Sequence, residues 1–155
     1  MTRLKYCLVI SLLAASGCND PPPKSELSLK LENSIIPRVV AWGKTRLPTF
    51  DLFALEEIRA FDRICYAVEY ESYDVILLSA GTIRTFHGSD GTAVPENRIA
   101  LIGVAGDDAH IGFLPTQSLE IYGRPRCADS ARAQLVRRFK AGTSMPRATL
   151  EEATF

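Results

Sequence analysis

Two histidines, a handful of carboxylates and two cysteines are the groups in this chain that could do chemistry. His87 opens the run His87-Gly88-Ser89-Asp90, and His110 follows Asp107-Asp108-Ala109. Imidazole and carboxylate donors arriving from two loops are what a divalent metal takes, so His87, Asp90, Asp107, Asp108 and His110 form the candidate ligand set. Their spacing matches no metal motif, and Asp-Asp beside Gly106 is also ordinary turn chemistry. The expectation is therefore no metal and no cofactor. Ser89 stands between His87 and Asp90, which invites a nucleophilic reading. A working triad needs base and nucleophile brought together by different elements beside an oxyanion hole, and neighbours on one small loop do not meet that need. No G-x-S-x-G elbow occurs in the sequence. Cys65 and Cys127 lack the C-x-x-C spacing of a thioredoxin-like pair. The expected catalytic set is empty, and Ser89 belongs to a polar loop bounded by Gly88 and Gly91.

Periodicity says which elements must position these groups. Leu27, Leu29 and Leu31 alternate with polar neighbours, which predicts a half-buried strand over 26–32. Asn33-Ser34 reads as a turn, and Pro37 delays a second strand that ends at Gly43. Within Thr49–Phe61, Leu55, Ile58 and Phe61 recur at helical spacing and predict a short helix, while the stretch Phe50 to Leu55 also fits a strand. Residues 63–70 and 74–79 read as a hairpin, with Ile64, Tyr66, Val68 and Tyr70 on one face and Cys65 on the other. Short strands follow over 82–87, 98–104, 110–114 and 118–122, joined by short turns that favour antiparallel pairing. The run Ile99–Val104 is apolar on both faces and belongs at a sheet centre, whereas His110 should point away from the apolar face made by Ile111 and Phe113. From 128 to 140, Ala128, Ala131, Leu135, Val136 and Phe139 make a helical stripe ended by Gly142. The expected architecture is α+β, a mainly antiparallel sheet with a C-terminal helix packed on it. It is one domain over 26–142, followed by a flexible tail over 143–155.

The first residues give an address. Arg3 and Lys5 precede a nine-residue apolar run, Cys7 to Ala15, and small residues follow. This is the pattern of a secretory signal peptide, and the run falls far short of the ~20 apolar residues that span a bilayer. Ala15-Ser16-Gly17-Cys18 resembles the lipobox of bacterial lipoprotein precursors, in which the cysteine thiol is diacylated and the chain is cut just before it. The resemblance covers residues 1 to 18 only, and Ala15 stands where Leu is commonest. It implies residues 1–17 as the signal, cleavage between Gly17 and Cys18, and Cys18 as the lipid site. Residues 18–25 then form a spacer. Pro21, Pro22 and Pro23 favour extended polyproline geometry, so it reaches on the order of 20 Å. The implied place is the cell envelope, anchored by lipid and facing the periplasm. Asn19 is not the Asp that resembles an inner-membrane retention signal, which leans the expectation toward the outer membrane. With Cys7 in the signal and Cys18 on lipid, Cys65 and Cys127 are left in an oxidising compartment. A bridge between them is expected, with two buried thiols as the alternative.

Composition bounds the function. In 155 residues, 46% are hydrophobic, and 18 basic side chains stand against 18 acidic ones. That is an ordinary one-domain globular chain, with no whole-protein charge that would draw nucleic acid. Charge is uneven along it. Seven acids between Asp51 and Asp74 face only Arg59 and Arg63, and six bases between Arg124 and Lys140 face only Asp129. Such runs steer a charged partner, lean on anionic headgroups, pair with each other, or simply face solvent. Trp42, Tyr66, Tyr70 and Tyr73 are equally candidates for a binding surface and for the core. The simplest reading is a non-enzymatic protein-binding module, similar by size and address to immunity or inhibitor proteins that meet a periplasmic toxin or hydrolase. The alternatives are a structural accessory of an envelope secretion or pilus assembly, and a small hydrolase using the His87 and His110 loops. The expected partners are an envelope protein and, through the lipid, the membrane.

Overall fold

Pro37 lies inside a helix, and the backbone widens to receive it. The computed structural model describes residues 24–74, 76, 80–89, 91–139 and 141–155, so Gly17, Cys18 and Asp90 lie outside the described residues. The first element runs from Glu26 to Gly43 as α1 (Glu26–Lys30), a π-helical turn (Leu31–Ile35) and α2 (Ile36–Gly43). Proline has no amide N–H, and its ring crowds the carbonyl four residues back. The turn before Pro37 is closed instead by Ile36 N–H donating to Leu31 O, five residues back. A wider turn there takes up the mismatch without ending the helix. The strand expected over 26–32 is corrected accordingly. Leu31, Ile35, Val39 and Trp42 are buried on one side of the helix, while Leu29 is exposed.

Two sheets complete the molecule. The larger contains β2 (Arg63–Ala67), β3 (Thr85–His87), β4 (Arg98–Ala105), β5 (Asp108–Pro115) and β7 (Cys127–Asp129), in the order β3-β5-β4-β2-β7. The smaller contains β1 (Thr49–Asp51), β6 (Glu120–Ile121), β8 (Ala133–Arg138) and β9 (Arg147–Glu152), in the order β1-β8-β9-β6. Pairing is antiparallel except between β3 and β5 and between β6 and β9. The fold is thus mixed α and β, mostly sheet and mostly antiparallel, with its helix at the N-terminal side.

β4 sits at the centre of the larger sheet, as its two apolar faces require. Ile64, Tyr66, Ile99 and Leu101 pack toward the helix and the smaller sheet, whose Leu135 and Leu150 join the same cluster. Cys65, Ala100, Ile102 and Ile111 pack on the opposite face with Tyr73, Ile76 and Val94. Cys65 and Tyr66 therefore look to opposite sides, as strand alternation dictates.

Several expectations at the C-terminal end are overturned. The helix expected over 128–140 is two strands, β7 and β8, separated by a turn at 130–132. Its apparent stripe is dispersed: Ala128 and Leu135 are buried, whereas Phe139 is 88% exposed. The deciding partner lies in the segment expected to be a flexible tail. Arg147–Glu152 form β9, paired with β8 on one side and β6 on the other, and their Ala148 and Leu150 are buried in alternation with Thr149 and Glu151. Elsewhere the helix expected over 49–61 is the short strand β1 followed by two 3-10 turns, Leu52–Ala54 and Glu56–Ala60. Of the second arm expected for the 63–79 hairpin, residues 75 and 77–79 lie outside the described residues, and Asp74 and Ile76 carry helical backbone where a strand was expected. Cys65 and Cys127 are joined by a disulfide between directly opposed residues of β2 and β7, with Cα atoms 4.0 Å apart. It ties the edge strand β7 to its neighbour β2.

Candidate functional site

Parallel pairing of β3 with β5 puts His87 directly opposite His110. Their side chains leave the same face, so the imidazoles stack with centroids 4.9 Å apart and planes 10° from parallel. Asp108, two residues before His110 and hence on that face, holds Oδ2 3.6 Å from His87 Nε2. Asp107 turns away to Arg84, whose Nε lies 3.1 Å from its carboxylate. Of the five candidate ligands, the structure therefore gathers His87, Asp108 and His110, separates Asp107, and does not describe Asp90. Stacked rings keep their nitrogens in parallel planes, so the lone pairs run side by side and do not converge. Among the described residues no three His, Cys, Asp or Glu side chains group in a way that could hold a metal ion.

The expected outward orientation of His110 is corrected. It does leave the sheet opposite Ile111, but the helix covers that face too, and His110 is only 6% exposed. Three glycines allow this cover. A Cβ at Gly112 would stand 2.7 Å from Ile36 Cδ1 and 3.1 Å from Leu31 Cβ, so the helix rests on bare backbone there. Gly103, opposite His110 on β4, gives its side-chain space to the Phe61 ring. Gly88 has φ +88°, and a Cβ on it would meet Ile111 O at 2.5 Å and Ser28 Oγ at 2.8 Å.

The polar groups under the helix are two serines. Ser25 is the N-cap of α1, its Oγ accepting the Ser28 N–H at 3.1 Å. The same Oγ lies 2.7 Å from His110 Nδ1 and 3.1 Å from Ser28 Oγ, and Ser28 Oγ donates to His87 O at 3.1 Å. The chain is best satisfied when His110 carries its proton on Nδ1. His110 then donates to Ser25, Ser25 to Ser28, and Ser28 to the His87 carbonyl. The other tautomer makes Ser25 donate to His110 and leaves one fewer bond. In the better-satisfied arrangement both acceptor positions of Ser25 are filled and its proton is directed to Ser28. Burial holds the His110 pKa below its ordinary value, the nearby His87 adds to this, and Asp108 opposes it in part. A neutral ring results near pH 7. The group is a latch between the start of the helix and strands β3 and β5. Sequence reasoning missed both serines because a helix was needed before Ser25 could read as its cap.

The loop residue Ser89 shares a 3.1 Å hydrogen bond with Tyr73 Oη and donates to Gly91 O, which is loop architecture. Among the four aromatics that were candidates for a surface, Trp42, Tyr66 and Tyr73 are buried. Tyr70 is 67% exposed and adopts φ 62°, the left-handed region. Its turn is pinned by Tyr70 N–H to Val94 O and Glu71 N–H to Val68 O, each 2.9 Å. Glu71 also accepts from Val68 N–H and pairs with Arg126 at 3.0 Å, so the acidic and basic runs meet here. Glu69 and Glu96 interact with the Tyr70 side chain.

No family model, no curated protein and no solved structure matches the chain.

Proposed function

We propose that this chain is a membrane-anchored, periplasm-facing bacterial lipoprotein whose folded domain is a non-enzymatic protein-binding module, with Tyr70 at the contact surface. One observation carries the binding surface. A bulky side chain in the left-handed region costs roughly 1–2 kcal/mol, and turns usually place Gly or Asn there. An exposed tyrosine held in that conformation points to a use outside the fold. Tyrosine suits such a role because it brings large area at low entropic cost, and Glu69 and Glu96 beside it favour a basic partner face. An inhibitor that enters the polar cleft of a toxin or hydrolase would present this combination. The lipobox supports the anchor, and the short spacer keeps the partner near the bilayer.

The test is capture of the tagged, lipidated protein from solubilised envelope, beside its Tyr70→Gly variant. The expected result is one toxin-like or hydrolytic enzyme in stoichiometric amount, lost from the variant although the variant remains folded. Recovery of several subunits of one envelope assembly would replace the inhibitor reading with the structural one. Equal recovery by the variant would remove Tyr70 from the interface. Cys18→Ser should release the protein from the membrane fraction, and retention there would overturn the anchor.

A further inference from the structure

We infer that a basic groove at the C-terminal end of α2 docks on anionic phospholipid headgroups and lays the domain against the bilayer. The groove has a volume of about 430 Å³, and its lining includes Lys44, Arg46, Arg137, Arg138 and Arg147 together with Phe139. No carboxylate occurs among the described lining residues. Arg138 and Arg147 are paired with Glu151 and Glu120. Arg137 spends its donors on the carbonyls of Leu47 and Trp42, 3.0 Å each, and its guanidinium lies over the Trp42 ring, 4.7 Å from the centroid, so it serves the wall of the groove. Lys44 and Arg46 are exposed and meet no acid among the described residues. The two positive charges of Lys44 and Arg46 are therefore open to a ligand.

The rim is apolar. Phe139 is 88% exposed, and Leu47, 59% exposed, is held beside Arg137 by the bond to its carbonyl. Cations interleaved with protruding apolar side chains match a lipid interface, where phosphates take the charges and the acyl boundary takes the rings. A soluble anion would use the arginines and leave Phe139 and Leu47 in water.

The choice of lipid over an acidic protein rests on the Cys18 anchor proposed above. That anchor precedes Ser25 by a spacer reaching on the order of 20 Å. From Glu26 to Gly43 the helix is about 27 Å long. A helix lying along the bilayer would thus have its first end held by the lipid and its last end, with Lys44 and Arg46, able to reach the headgroups.

The experiment uses the full chain reconstituted with vesicles of phosphatidylcholine alone or mixed with phosphatidylglycerol. Phe139→Trp provides the reporter against the constant background of buried Trp42. With phosphatidylglycerol present, its emission should shift to the blue and be quenched by brominated lipid. Both signals should vanish in about 1 M salt, where screening acts within ~3 Å, and in a variant that also carries Lys44→Gln and Arg46→Gln. The same signals in pure phosphatidylcholine would overturn the headgroup assignment, and so would the same shift produced by inorganic phosphate without vesicles. Co-sedimentation with both vesicle types without a reporter shift would overturn the docking and leave the anchor standing. A shift with phosphatidylglycerol but no sedimentation with phosphatidylcholine would support the docking and overturn the anchor.

Discussion

Opening the Cys65–Cys127 bridge should cost most of the stability this domain can spare. The bridge closes a loop with a sequence separation of 62 residues. Closing a loop of that length removes about 14 cal/mol/K of entropy from the unfolded chain, or about 4 kcal/mol at 25 °C. Residual structure in the unfolded chain makes that an upper figure. Its position makes the loss consequential. β7 has three residues, pairs only with β2, and leads straight into β8 of the other sheet. The crossing keeps other ties, since Ser130 N–H donates to Asp62 O at 3.1 Å and Asp129 N–H to Glu152 at 2.9 Å. The reduced protein should therefore still fold, with about 4 kcal/mol less of the 5–15 typical for a domain. The assay is urea unfolding of oxidised and reduced wild type and of a Cys65→Ala/Cys127→Ala variant. The oxidised-to-reduced difference isolates the cross-link, and the reduced-to-alanine difference isolates the packing lost at two buried sulfurs. An oxidised-to-reduced gap under about 1 kcal/mol would refute the idea that loop closure governs this contribution.

Three other perturbations test separate parts of the structure. Gly103→Ala places a methyl against the Phe61 ring, with Phe61 Cγ at 2.8 Å, and should destabilise by about 1–3 kcal/mol in thermal or urea unfolding; Gly91→Ala, which has no neighbour closer than 3.7 Å, should be nearly neutral. Tyr70→Gly removes a left-handed side-chain penalty of roughly 1–2 kcal/mol against a glycine entropy cost of about 0.5–1, so stability should rise by up to about 1.5 kcal/mol, and a fall would mean that Tyr70 serves the fold. His110 is held below its ordinary pKa of 6.5 by burial and then by His87, so the unfolded chain binds the proton more readily. Its stabilising contribution is present above pH 6.5 and is lost as the pH falls through that value toward the folded pKa. Wild type should accordingly weaken between pH 7 and 5 more than His110→Gln, and equal slopes would contradict the assignment.

The parts of the fold that were legible are those where one strand carries its own instructions. Ile99–Val104 is apolar on both faces and lies at the centre of the larger sheet, and Cys65 and Tyr66 point oppositely because strand periodicity allows nothing else. The helix was hidden by Leu27, Leu29 and Leu31, three residues whose alternation is too short to distinguish the two periods, and by Pro37. A proline reads as a break unless a π turn is available ahead of it. At the other end, Ala128 to Phe139 satisfied a helical stripe by accident. Ala133 and Leu135 were in fact half of a strand pair whose other half, Ala148 and Leu150, lies across a turn. Pairing of that kind depends on residues outside any local window.

The histidine group shows the same dependence at a finer scale. His87 and His110 were legible as polar residues near two turns, but their stacking follows from a parallel pairing of β3 with β5 that no hairpin signal announces. Their polar partners come from the chain's other end, where Ser25 is both the helix cap and the hydrogen-bond partner of His110. If the chain is tethered through Cys18 as proposed, Ser25 is also where the spacer meets the fold. A pull on the tether would then act on a cap fastened through His110 and Ser28 to two strands of the larger sheet. A helix end held by its own first turn alone would fray under that load. Under that tether the buried imidazole would serve as a mechanical fastening between the cap and the sheet.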